Sequence, residues 1–207
     1  MSATVVNREA CLEWSAASRP LPGQSVCGDL HYVNTWDEGA LFAVADGLGH
    51  GDEATAAATA AIDAIAENPR EPIVVLFQRC HRALQSTRGV ALTLVAVDTA
   101  AGRAAMLGVG NVEAVLLRAA PDARPRRESV LLRNGVVGYR LPPLQVHTAA
   151  FSRDDLLVFA TDGVRADFGD ALVTTEPIAQ LVDRILAEKF RGNDDGLVLA
   201  VKYLGKP

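Results

Sequence analysis

Four carboxylates stand where apolar segments begin or end. The run Leu41 to Gly51, LFAVADGLGHG, reads as a buried strand that stops on Asp46 and turns through three glycines. LLVFATDG, Leu156 to Gly163, repeats the design and stops on Asp162. Near the C-terminus, Asn193-Asp194-Asp195 precedes the apolar run GLVLAVKYL. Asp29 follows Gly28 in VCGDLHYVN, and the short WDEG reversal sets this segment antiparallel to the strand ending at Asp46. Mg and Mn prefer octahedral coordination by carboxylates, carbonyls and water, so Asp46, the Gly47 carbonyl, Asp162 and Asp194 supply suitable donors. Without cations such a group would repel itself and be pushed toward protonation. Two ions about 3.5–4 Å apart can share a water, lower its pKa and neutralise the oxygens of a phosphate under attack, which makes phosphomonoester hydrolysis the matching reaction. A lone Asp-Gly at a strand end is ordinarily a turn, and spacing by itself leaves turns and a metal site evenly balanced.

The elements that would position these acids follow from periodicity. Residues 9 to 19 and 26 to 34 have strand character, with a turn at PLPGQ between them. Asp52 caps a helix running through Asn68, with Ala54, Ala58, Ala61, Ile62 and Ile65 at helical spacing, and Pro69 ends it. A second helix opens at Pro72 and carries Ile73, Leu76, Phe77, Cys80 and Leu84 on one face. The period then shortens. Strands are expected over 90 to 98, 103 to 109, 112 to 118, 129 to 133, 145 to 151 and 156 to 161, with too little chain between them for parallel crossovers. Thr175 and Pro177 open a last helix, and a final strand covers about 196 to 204. This order predicts an α+β fold in which helix layers enclose two antiparallel sheets. The polar stretch Ala119 to Glu128 is a hairpin loop, and its arginines, with Arg118, form a solvated cluster that could alternatively dock an acidic protein.

Composition bounds the function. The 207 residues suit a single domain with a large core, and 49% hydrophobic content with 22% charged residues excludes a disordered chain. A net charge of -5 gives no support for non-specific nucleic-acid binding. Cys11, Cys27 and Cys80 are odd in number and far apart, so free thiols are expected rather than disulfides or a CxxC site. The first residues show no leader, and the alanine-rich segment is too short and polar to cross a membrane, so a monomeric cytoplasmic protein is expected. Gly108-Val-Gly110-Asn111 leads into a strand rather than a helix and reads as a strand turn, and no GxxxxGK[ST] occurs.

Taken in order, Gly28-Asp29, ADGLGHG at 45 to 51, TDG at 161 to 163 and Asp194-Asp195 before an apolar strand resemble the motifs of the metal-dependent Ser/Thr phosphatases, the PPM family. The resemblance spans residues 28 to about 201 and implies one phosphatase domain over 1–207. The implied architecture is a four-layer αββα sandwich flanked by helix pairs. It implies two Mn2+ or Mg2+ ions, with Asp46 bridging both, the Gly47 carbonyl on one, Asp162 and Asp194 on the other, and Asp29 orienting a bound water. Only 31 residues separate Asp162 from Asp194, so the flap insertion of larger members is absent. DGLGHG in place of DGHGG resembles the SpoIIE-type branch, and VCGDLHYV, GVGNVEAVLL and TDGV are most similar to RsbX-like phosphatases, which implies phosphorylated STAS-domain stressosome scaffolds as partners and attack by a metal-bridging hydroxide.

The departures matter. The phosphate-binding Arg of larger members is replaced by Gln24, which implies weak phosphate affinity and reliance on protein docking. Their general-acid histidine aligns with Leu48, leaving His50, two residues on, as substitute acid or as a plain loop residue, in which case metal-bound water would donate the proton. Leu197 stands where a Thr is usual, so Asp195 remains an alternative ligand to Asp194. Two other readings stay open: a non-catalytic regulator of the same fold, and a two-metal hydrolase of small phosphate esters such as nucleotides.

Overall fold

The structure is a computed structural model and describes residues 6–9 and 11–205; residues 1–5, where no leader was read, and Ala10, inside the first expected strand, lie outside these. Strands β1 (Asn7–Glu9), β2 (Leu12–Arg19), β3 (Asp29–Trp36) and β4 (Gly39–Gly47) precede α1 (Asp52–Ala66) and α2 (Ile73–Ala83). Then come β5 (Val90–Asp98), β6 (Arg103–Val109), β7 (Glu113–Leu117), β8 (Arg127–Ser129), β9 (Leu132–Arg133), β10 (His147–Ala150) and β11 (Leu156–Ala160). A 3-10 turn over Ala166–Ala171, α3 (Ile178–Lys189) and β12 (Gly196–Tyr203) complete the chain. One sheet has the order β1-β2-β12-β11-β7-β8, and the other β10-β6-β5-β4-β3 with β9 beside β6. The α+β expectation holds.

Strand alternation explains the layers. Successive β4 side chains point to opposite faces, and both faces are covered, so nearly the whole strand is apolar. Phe42 and Val44 join Leu157, Phe159, Leu197 and Leu199 in the core between the sheets. Leu41, Ala43 and Ala45 face Ala57, Ala58 and Ala61 of α1 and Leu76 and Phe77 of α2. A third core packs Val158, Val198 and Ala200 against Ile178, Leu181, Val182 and Ile185 of α3. The alanines of α1 leave little bulk between helix and strand, so its backbone approaches β4 closely. None of the helices among the described residues is long and apolar enough to cross a membrane.

Two expectations need correction. The sheets are not wholly antiparallel, because β9 runs parallel to β6. The expected strand over 129 to 133 is in fact split: Val130 donates to the Ala114 carbonyl, after which the chain leaves β7 and joins β6 in the other sheet. Nor is each side covered by a helix pair. α1 and α2 cover one side, while the other has α3 and the 3-10 turn.

Candidate metal centre

Antiparallel pairing gathers the acids. Because β3 and β4 run in opposite directions, the first residue of β3 meets the end of β4, and Asp29 stands opposite Asp46. For the same reason the end of β11 lies beside the start of β12, bringing Asp162 and Asp194 to a common lip. The two sheets are fastened there. Thr161 Oγ1 donates to Asp29 Oδ2 at 2.7 Å and accepts the Leu197 N–H at 2.8 Å. One hydroxyl thus ties β3 to both β11 and β12.

The carboxylates sense one another. Asp29 is only 3% exposed. Burial pushes its carboxyl up to about 7 against the opposing bond from Thr161, and the charges of Asp195, Asp162 and Asp194 add to the rise. Burial likewise pushes Asp46 up to about 9, and Asp29, Asp162, Asp194 and Asp195 raise it further. Asp162 rises too, from burial and the Asp194 charge, but the Arg191 charge and a hydrogen bond from Asn111 hold it back. A divalent cation would reverse this frustration by stabilising the ionised forms.

The donor set is oxygen-rich and suits Mg or Mn. Among the described residues no three His, Cys, Asp or Glu side chains form a ready-made cluster. Ions with several water ligands match such spacing better than zinc in a closed protein cage. Burial pushes the nearby Cys27 thiol up to about 12, which keeps it protonated in the metal-free site. All three cysteines are free, as expected.

Each Asp-Gly glycine answers a steric demand. A side chain on Gly47 would collide with the Ala54 backbone in the first turn of α1, and one on Gly163 with the Asp195 backbone. Gly47 N–H also donates to the Gly28 carbonyl at 3.1 Å, locking the two acid-bearing strand ends together.

Adjacent acids have different partners. Asp195 is 2% exposed, and its two oxygens accept the Leu21 N–H at 2.7 Å and the Gly28 N–H at 2.8 Å. It anchors the loop between β2 and β3. Asp194, half-buried, accepts the Asp195 N–H at 2.9 Å and otherwise faces the other acids. His50 is exposed in the turn after β4, between Gly49 and Gly51, whose φ angles are 92° and 73°. Gln24 reaches the same turn, its Oε1 lying 3.2 Å from where a Cβ on Gly51 would sit.

Sequence reasoning missed Asn111, Thr161 and Arg191. Asn111 Nδ2 donates to Asp162 Oδ2 at 2.6 Å from the end of the GVGN turn, where Gly110 has φ 98°. The glycine pattern marks the turn but gives no sign of a partner for its asparagine. Of the arginine cluster, Arg124, Arg126 and Arg127 are exposed, as a solvated group should be, although Arg127 also bonds Asp170 at 2.5 Å. Arg118 differs: it is nearly buried and pairs with Glu128 and Asp155.

Two layered sheets with an oxygen-ligand lip define the class of metal-dependent phosphatases with the PPM fold. The family described as stage II sporulation protein E (SpoIIE) matches residues 37–203, and the chain belongs to this family, a SpoIIE-type branch of the PPM Ser/Thr phosphatases. It is 27% identical over 144 residues to the phosphoserine phosphatase RsbX of Bacillus subtilis (strain 168), covering 69% of each chain. A chain solved in work on the bacterial stressosome, as a modular system adapted to control secondary messenger signaling, is 29% identical with a TM-score of 0.84, covering 92% of this chain and 99% of that one. RsbX in complex with magnesium shares the fold with a TM-score of 0.86 at 21% identity, covering 97% and 99%.

Proposed function

We propose that this chain is a cytoplasmic phosphoprotein phosphatase that removes phosphate from phosphoserine or phosphothreonine on STAS-domain scaffold proteins of a stressosome, giving feedback control of a bacterial stress response. The observation that carries the reading is the meeting of Asp29, Asp46, Asp162 and Asp194 at one lip, where Thr161 joins the sheets. Similarity to a phosphoserine phosphatase and to a stressosome-related chain supports the substrate class and the setting. Residues 1–207 are read as one four-layer αββα domain; between Asp162 and Asp194 the chain holds only the 3-10 turn and α3, which supports the absence of a flap.

Asp46, the Gly47 carbonyl, Asp162 and Asp194 would hold two Mn2+ or Mg2+ ions. Bound there, the ions supply water activation and charge neutralisation at the phosphate. Because both Asp195 oxygens accept backbone amides, Asp194 is the better ligand of the pair. Asp29, gripped at Oδ2 by Thr161, would orient the attacking water with its other oxygen and take up its proton. The water oxygen bonds to phosphorus, the ester P–O bond breaks, and the serine or threonine oxygen takes a proton from His50. Asn111 holds Asp162 in orientation.

Phosphate release from p-nitrophenyl phosphate and from a phosphorylated STAS-domain protein, with Mn, with chelator and in Asp46→Asn, tests the reading. Turnover undiminished by chelation or by the substitution refutes the metal mechanism. Binding without turnover of either substrate supports a regulator instead, and preference for nucleotides in competition supports a small-ester hydrolase. His50→Ala should slow the phosphoserine ester and spare p-nitrophenyl phosphate, whose leaving group needs no proton.

A further inference from the structure

Between β9 and β10 the chain forms a tight hairpin whose ends bond to each other: Val136 N–H donates to the Arg140 carbonyl at 2.9 Å, and Arg140 N–H to the Val136 carbonyl at 2.8 Å. At its tip Tyr139 is 85% exposed, a large aromatic that contributes nothing to the core. The hairpin beneath it is held firmly. Val137 and Val90 exchange both backbone hydrogen bonds, at 2.9 and 3.0 Å, and the Gly138 N–H donates to His81 Nδ1 at 3.0 Å. Gly138, at φ 104°, packs so closely on Leu84 that a Cβ there would lie 2.7 Å from the Leu84 Cβ.

This hairpin borders the metal lip. Val90 also pairs with Gly47, so Val137 lies two strand spacings, about 10 Å, from the Asp46-Gly47 turn. Gly89 accepts the Leu48 N–H at 3.1 Å, joining that turn to the hairpin's support. At the other end of the segment the Arg133 carbonyl accepts the Gly110 N–H at 2.9 Å, next to Asn111 and hence to Asp162. The surface alongside carries an exposed leucine and two arginines. Leu48 is 36% exposed, Arg140 is exposed, and Arg88 lies against Gly49, 2.8 Å from where its Cβ would sit, with its side chain 54% exposed. Arg88 pairs with Glu53, a surface pair that costs little to exchange for another carboxylate.

Resting on the phosphatase reading above, we infer that the Val136–Arg140 hairpin, with Leu48 and Arg88, is the docking rim for the phosphorylated polypeptide. Its occupant is a segment with an apolar or aromatic side chain and acidic residues about three or four positions from the phosphorylated residue, the number an extended chain needs to cover the roughly 10 Å from the Asp46-Gly47 turn to the base of the hairpin at Val137. The two arginines complement those acids on a chain whose net charge is -5, and Tyr139 offers rigid amphipathic area of the kind that dominates interfaces.

The test uses the full chain with Mn and three substrates: p-nitrophenyl phosphate, a phosphoserine peptide with Leu and Glu at those positions, and the same peptide with Ser and Lys. The Leu/Glu peptide should have a kcat/KM about tenfold above the Ser/Lys peptide. Tyr139→Ser should remove that preference through KM and leave p-nitrophenyl phosphate within twofold of wild type, and Arg140→Glu should shift preference toward Lys. Equal kcat/KM for both peptides, or a preference that survives Tyr139→Ser, overturns the docking rim while the phosphatase reading stands. No hydrolysis of any of the three by wild type overturns the phosphatase reading and the rim with it.

Discussion

The two halves of the acid lip differ. At the β3–β4 end, Asp29 and Asp46 are driven up to about 7 and about 9, chiefly by burial and then by neighbouring acids. At the β11–β12 end, Asp162 is more open to solvent and is offset by Asn111 and Arg191, while Asp194 caps its neighbour's amide. The first half has given up hydration that a bound cation or a proton must replace. The second is prepared in advance by fixed protein groups. Cation binding should therefore be energetically dominated by the β3–β4 half, with the β11–β12 half setting geometry.

Substitution in the dominant half should have the largest effect. Asp46→Asn should lower kcat on p-nitrophenyl phosphate by about 10²–10³-fold, as removing a main electrostatic stabiliser does. If Asp162→Asn costs more than Asp46→Asn, the ranking of the halves is reversed. Next is Asp195→Ala, which leaves two backbone donors without their partner; urea denaturation should show a loss of about 2–4 kcal/mol. A stability loss without that size would mean the loop between β2 and β3 is held elsewhere. Asn111→Ala should weaken Mn affinity about tenfold by calorimetry, the scale of removing a group that orients a ligand.

A pH dependence of stability is also expected. Asp29 and Asp46 bind protons more tightly folded than unfolded, so their contribution to metal-free stability is complete below about pH 4 and is lost as pH rises through about 7 and about 9. Thermal melts of the chelated protein should thus fall from pH 5 to 9 more steeply than those of Asp46→Asn, and Mn should flatten the difference. Identical slopes would show that Asp46 is not frustrated.

Legibility in the sequence tracked burial. β5 and β6 have the expected ends because both faces of each strand are packed, so apolar residues run until the chain leaves the sheet. β1, Asn7–Glu9, carries no apolar signal and exists only through backbone pairing with β2. The β8–β9 split was hidden because a change of sheet leaves the apolar pattern intact. Within the site, acids at strand ends stood out through the contrast of Asp with the run before it. Asn111 did not, since its partner lies 51 residues away and only the register of β7 on β11 brings them together. Asp195 could not be told from Asp194 by spacing, because the difference lies in two amides donated from a distant loop.

The Thr161 hydroxyl makes the proposed reaction centre a clasp as well as a cradle. Each sheet has its own helix-backed core, and slippage of one against the other would pull Asp29 away from Thr161 before disturbing either core. Ion loading should therefore slow amide exchange at Leu197 and Gly47, on opposite sides of the seam, in step with each other.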